Sequence, residues 1–158
     1  MTSKRWSRGF AKGFGGLAQG DNLTGKRGSN TVFVMTHNKI AKIPRPKTVT
    51  YARVVPDYRP QKEDPYRIRI TAGGNLIKTT MELTTRTADL TTAKIIWNST
   101  ISTPGAKCAY LDIKNFYLGT RMKDYEYMKI FLKIFPEHVI KQYNLLEHAK
   151  GGYVYLEI

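Results

Sequence analysis

Near the start of the chain Trp6, Phe10, Phe14 and Leu17 recur at helical spacing, with Lys4, Arg5, Arg8 and Lys12 between them. That period predicts an amphipathic helix. Gly9, Gly13, Gly15 and Gly16 oppose it. Each weakens a helix by up to about 1 kcal/mol relative to Ala, so the helix needs packing support. No acid precedes Asp21, which suits a mitochondrial transit peptide as well as a helix that opens the domain. The polar, glycine-punctuated stretch from Asp21 to Asn30 reads as a loop.

The period then shortens to two. Thr31-Val-Phe-Val-Met35 is a β-type run, Pro44 and Pro46 break the chain, and Thr48 to Val55 reads as a second strand. Pro56-Asp-Tyr-Arg-Pro60 and Lys62-Glu-Asp-Pro65 read as turns. Tyr66-Arg-Ile-Arg-Ile70 alternates, which predicts a half-buried strand with Arg67 and Arg69 on the exposed side. Gly73-Gly74 permits a sharp turn. Thr84 to Ser102 is the best helix candidate, with Leu90, Ala93, Ile96, Trp97 and Ile101 on an inward stripe. Thr87 suits its cap and Asp89 its first turn.

Cys108 to Ile113 is an apolar run of strand length carrying one acid, Asp112. Asp124 to Ile130 reads as a strand, and Pro136 to Leu146 as a helix turning Val139, Ile140, Tyr143 and Leu146 inward. After a turn at Lys150-Gly-Gly152, Tyr153 to Ile158 is a last strand. The fold class is therefore α+β, with short mixed strands and two or three helices.

A chain of 158 residues fits one domain, and 41% hydrophobic content supports a core. No apolar run approaches the ~18 residues of a membrane span. With no signal peptide either, the expected location is intracellular, cytoplasmic or nuclear. The single cysteine, Cys108, excludes an internal disulfide and fits a reducing compartment as a small buried hydrophobe. Charge changes the picture most. The net charge is +14, and residues 1 to 70 hold fifteen Lys or Arg against four acids. That excess points to a polyanionic partner, most simply nucleic acid, although ribosomal, chromatin and membrane-surface proteins share it.

Two places carry candidate chemistry. Asp112 stands in an apolar strand, where an unpaired carboxylate costs several kcal/mol, roughly, unless a metal or cation compensates it. The plainer alternative is a strand-end acid bonded to local backbone. Arg67 and Arg69 on one strand face form a phosphate fork, or a solvated cationic edge that deters aggregation. His138 and His148 lack a ligand partner at helical spacing, which makes a zinc site improbable.

Tyr110-Leu-Asp-Ile-Lys-Asn-Phe-Tyr-Leu118 resembles the first catalytic motif of copia-type retrotransposon reverse transcriptases. Pro46-Lys-Thr-Val-Thr-Tyr51, Arg59-Pro-Gln-Lys62 and Arg67-Ile-Arg-Ile-Thr-Ala-Gly-Gly-Asn75 resemble the fingers of the same group. Ala88-Asp-Leu-Thr-Thr-Ala-Lys94 and Ile101-Ser-Thr-Pro104 resemble the helix leading into its catalytic strand. The resemblance runs from about residue 5 to residue 158.

It implies the fingers and partial palm of a right-hand polymerase. Residues 1–30 would form a basic N-terminal segment, 31–83 a fingers-like β region and 84–158 the first part of the palm. It implies Mg²⁺ or Mn²⁺, an RNA template, a DNA primer and deoxynucleoside triphosphates. Asp112 would be the catalytic metal ligand, joined by the carbonyl of Ile113. Lys62 and Arg69 would grip the triphosphate, with the amides of Asn115 and Phe116, and Tyr117 would lie beneath the sugar. Arg67 and Lys114 would contact nucleic acid.

The family's second motif, aromatic-x-Asp-Asp, is missing, and no Asp-Asp pair occurs anywhere in the chain. Gly119, Arg121 and Arg86 also stand where the family has asparagine, proline and proline. One carboxylate does not readily hold two metals, so a truncated piece inactive by itself is expected. The alternative is a non-catalytic basic nucleic-acid-binding remnant.

Overall fold

The computed structural model describes residues 4–77, 89–109, 111, 118 and 124–158 of the chain. The chain divides into two compact units, one of residues 1–78 with 118–158 and one of residues 79–117. The strands of residues 49–72 and those of 127–157 share one sheet, so the larger unit draws on stretches that the resemblance splits between fingers and palm. The chain is α+β: among the described residues there are five α-helices and one five-stranded sheet. No helix among them is long and apolar enough to cross a membrane.

In the larger unit the predicted amphipathic helix forms as α1 (Lys4–Leu17) and buries Phe10 and Phe14 completely or nearly so. Full burial of such a ring stabilises the fold by about 1.5–3 kcal/mol relative to an exposed one. Phe14 meets Phe135 and Tyr143 edge-on, each at 5.1 Å between ring centres. The glycines that weaken α1 as an isolated helix are what let it dock. A Cβ on Gly13 would stand 2.6 Å from the carbonyl oxygen of Ile68, and one on Gly9 would run into that of Tyr66. Only bare backbone permits this approach.

The sheet runs β1-β5-β4-β2-β3, formed by β1 (Phe33–Val34), β2 (Val49–Tyr58), β3 (Tyr66–Ala72), β4 (Tyr127–Phe131) and β5 (Tyr153–Glu157). All neighbours are antiparallel except β2 and β4, which run parallel through three pairs, Val49↔Tyr127 to Tyr51↔Lys129. Beyond Tyr51, β2 pairs with β3 alone among the described residues. Pro56, expected in a turn, lies instead in this stretch of β2 opposite Ile68, where one strand edge needs no proline N–H. Alternation places Ile68, Met128, Ile130, Val154 and Leu156 on the face beneath α1.

Short helices close the unit. α2 (His37–Ala41) brings Ile40 onto Tyr127 and Met35 at one end of the opposite face. The helix expected from Pro136 to Leu146 is broken into α4 (Glu137–Gln142) and α5 (Leu145–His148) by Asn144, which is left-handed at φ 50°. That residue resets the phase, so Leu145 is buried while Leu146, expected inside, is 70% exposed. The loop after α1 is tied down by Gln142 Nε2 donating to the Gly20 carbonyl at 3.0 Å and by Asp21 Oδ2 accepting from the Thr24 amide at 2.8 Å.

In the smaller unit, α3 (Leu90–Ser102) begins one residue after Asp89, whose carboxylate caps it by accepting from the Thr92 amide at 2.7 Å. The cap is Asp89, and Thr87 lies outside the described residues. The inward stripe is corrected too: α3 buries none of its residues, and Trp97 is 61% exposed. Its threonines and Ser99 interrupt the apolar positions, so the stripe is weak. Cys108, expected to be buried, is exposed. Of the expected strand Cys108–Ile113, the described residues Cys108, Ala109 and Leu111 are in no strand.

Candidate nucleic-acid interface

The β2–β3 hairpin carries the first part of the site. Alternation on β3 sets Arg67 and Arg69 on the exposed side, with Ile68 buried between them. Antiparallel register places Asp57 opposite Arg67 and Val55 opposite Arg69. Asp57 Oδ2 lies 3.6 Å from Arg69 Nη2 and 3.7 Å from Arg59 Nε. One carboxylate thus pairs with two guanidinium groups and stands opposite a third, Arg67.

Partial burial, followed by the positive charges of Arg69 and Arg59, pulls the Arg67 pKa below its usual value, with Asp57 opposing. Arg67 stays cationic at any ordinary pH because the starting value is so high. Arg59 Nε is buried and donates to no acceptor among the described residues. A cluster with excess guanidinium and an orphan donor favours an added anion.

Lys62 lies in the hairpin turn, where its amide donates to the Arg59 carbonyl at 3.0 Å. Arg69 is three residues along β3 from Tyr66, about 10 Å up the strand. Among the described residues Arg69 pairs with Asp57, which lies in β2 and not in the expected turn. Asp112, Ile113, Lys114, Asn115, Phe116 and Tyr117 all lie outside the described residues.

The second part was not singled out in the sequence. On the sheet face opposite α1, parallel register sets Tyr51 beside Lys129, and antiparallel register sets Phe131 beside Tyr153. The Lys129 ammonium lies 4.5 Å from the Tyr51 ring centre and 5.0 Å from that of Tyr153. Lys133, just past β4, lies 4.6 Å from the Phe131 ring centre. Arg53, two residues beyond Tyr51, shares its face.

Tyr51 is 55% exposed. Tyr51 and Arg53 also line an open cleft of about 480 Å³ with Thr71, Gly73, Gly74 and Asn75. No ion pair involves Arg53, Lys129 or Lys133 among the described residues. The available signal was the alternation itself: Tyr51 and Arg53, Lys129 and Phe131, each two apart in a strand.

Comparison with protein-family models, curated proteins and solved structures finds no match to this chain.

The divalent ions implied by the resemblance need several hard oxygen ligands together. No three His, Cys, Asp or Glu side chains converge among the described residues. Asp112 lies outside them, and the chain has no Asp-Asp pair. The described residues by themselves supply no two-ion centre.

Proposed function

We propose that this chain is a piece of a copia-type RNA-directed DNA polymerase, carrying the fingers and the first part of the palm. By itself it binds nucleic acid and does not polymerise. The observation that carries the reading is the arginine cluster of the β2–β3 hairpin, where Asp57 is the only carboxylate paired with Arg59 and Arg69 among the described residues and Arg67 stands opposite it. That cluster falls in the segments that resemble polymerase fingers, on a chain of net charge +14. Guanidinium forks bind phosphate oxygens in bidentate fashion, and each phosphate contact releases counterions.

Two measurements test the reading. Incubated with primer–template, Mg²⁺ and deoxynucleoside triphosphates, the purified chain should leave the primer unextended. Extension that Asp112→Asn abolishes would overturn the claim that it does not polymerise. In a salt titration of oligonucleotide binding, log K should fall steeply with log salt. Replacing both Arg67 and Arg69 with Gln should flatten that slope by about 2, roughly one per lost phosphate contact. An unchanged slope would remove the arginine cluster from the interface.

A further inference from the structure

The arginine cluster accounts for phosphate binding but not for the aromatic rings on the same unit. On the sheet face opposite α1, the end beneath α2 is covered by Met35 and Ile40. The other end presents Tyr51, Phe131 and Tyr153 interleaved with Arg53, Lys129 and Lys133. Lys129 and Lys133 each stand beside a ring, Arg53 lies two residues from Tyr51 on the same face, and the rings hold one another. Tyr153 meets Phe131 at 4.8 Å and Tyr51 at 6.1 Å, both steeply inclined. Exposed tyrosine contributes little to a core, and a patch made only for solubility would not need three rings. The cleft beside Tyr51 and Arg53, about 480 Å³, has room for one flat heterocycle.

We infer that this aromatic–cationic end of the sheet is a stacking platform for single-stranded nucleic acid. Bases pack on Tyr51 and Tyr153, and the phosphates between them meet Arg53, Lys129 and Lys133. A duplex keeps its base faces stacked on one another and offers none to these rings. Single strands present every base face, and stacking of this kind tolerates any sequence. Cation–π contact with Lys129 holds both tyrosine rings in place before a strand arrives. The inference rests on the nucleic-acid-binding reading above and adds to it a surface and a strand state.

The test uses the whole chain and three labelled ligands followed by fluorescence anisotropy. They are a 12-residue oligothymidylate, an abasic oligomer of the same length and charge, and the corresponding blunt duplex. Oligothymidylate should bind tightest. Tyr51→Ala should weaken it about tenfold while leaving the abasic oligomer unchanged, since one stacked base is lost. Tyr51→Phe should restore binding, because the ring and not the hydroxyl does the stacking. Arg53→Gln should weaken both single-stranded oligomers alike. Tyr51 is exposed, so its variants keep the fold, which circular dichroism checks.

Equal affinity for oligothymidylate and the abasic oligomer, or no effect of Tyr51→Ala, overturns the platform and leaves phosphate binding standing. Failure to bind any of the three ligands at low salt overturns both readings. So does adsorption to phosphatidylserine vesicles with no oligonucleotide binding.

Discussion

On one side of β4, Met128 and Ile130 disappear beneath α1. On the other, Lys129 stands between two tyrosine rings in partial contact with solvent. The same two-residue alternation builds both faces, and what separates them is what lies on top. α1 covers the inner face because Gly9 and Gly13 bring its backbone against the carbonyls of Tyr66 and Ile68, which leaves Phe10 and Phe14 to fill the space beyond. Within the larger unit, no helix of comparable length covers the open end of the outer face among the described residues. The inner face therefore sets stability, and the outer face is the one proposed to bind.

Truncation on each side gives the sharpest contrast. Phe14→Ala should cost about 3–5 kcal/mol, because Phe10, Phe135 and Tyr143 would be left around a cavity. Tyr51→Ala should change stability by less than about 0.5 kcal/mol, as an exposed side chain away from the core does. Urea unfolding of the two variants reads both values. A loss at Tyr51 comparable to that at Phe14 would break the distinction between a packing face and a binding face.

Glycine substitutions probe the same docking at smaller scale. Propensity predicts that replacing any helical glycine with alanine gains up to about 1 kcal/mol. At Gly13 the added methyl would stand 2.6 Å from the Ile68 carbonyl, and such overpacking costs about 1–3 kcal/mol. At Gly16 the nearest atom is the flexible end of Lys26, 3.4 Å away. Gly13→Ala should therefore destabilise and Gly16→Ala stabilise in the same denaturation experiment. A gain at both would mean that α1 does not approach β3 through its glycines.

The covered face was largely legible in the sequence. Trp6, Phe10, Phe14 and Leu17 gave the helix, and the alternation around Ile68 gave its strand. The use of the glycines was not, because close approach depends on a strand some fifty residues away that no local pattern announces. The break at Asn144 was missed for a related reason: a single left-handed residue leaves the apolar count intact while rotating Leu145 in and Leu146 out. Along α3 the periodicity named a stripe that stays exposed, since spacing reports a candidate face and not what covers it. Of the candidate site, Arg67 and Arg69 were visible from alternation alone. Their tie to Asp57 needed β2 to run on through Pro56, and Tyr51 meets Lys129 only through a parallel pairing of distant segments.

That tie gives the next effect in size. Asp57 is the only carboxylate paired with Arg59 and Arg69 among the described residues. It competes with any incoming phosphate. Asp57→Asn should raise oligonucleotide affinity at low salt by roughly three- to tenfold, with the gain fading as salt screens the cluster. Anisotropy titrations at two salt concentrations check it. An unchanged or lower affinity would mean that Asp57 positions the arginines and does not merely mask them.

The smallest effect lies where the helix meets the hairpin. Lys12 of α1 donates to Asp64 in the β2–β3 turn, and this bond pulls the Asp64 carboxyl below its usual value of 3.8. A depressed carboxyl pKa in the folded state contributes stability that is fully present above the unfolded value. The contribution is lost as pH falls through the folded value. Asp64 is 65% exposed, so the pair is worth no more than about 0.2–1 kcal/mol. Lys12→Met should lower stability by that amount at pH 6, and the gap from the parent chain should close as pH drops below 3.8. A gap that persists in acid would assign the effect to the packing of the Lys12 stem against β3, returning it to the covered face.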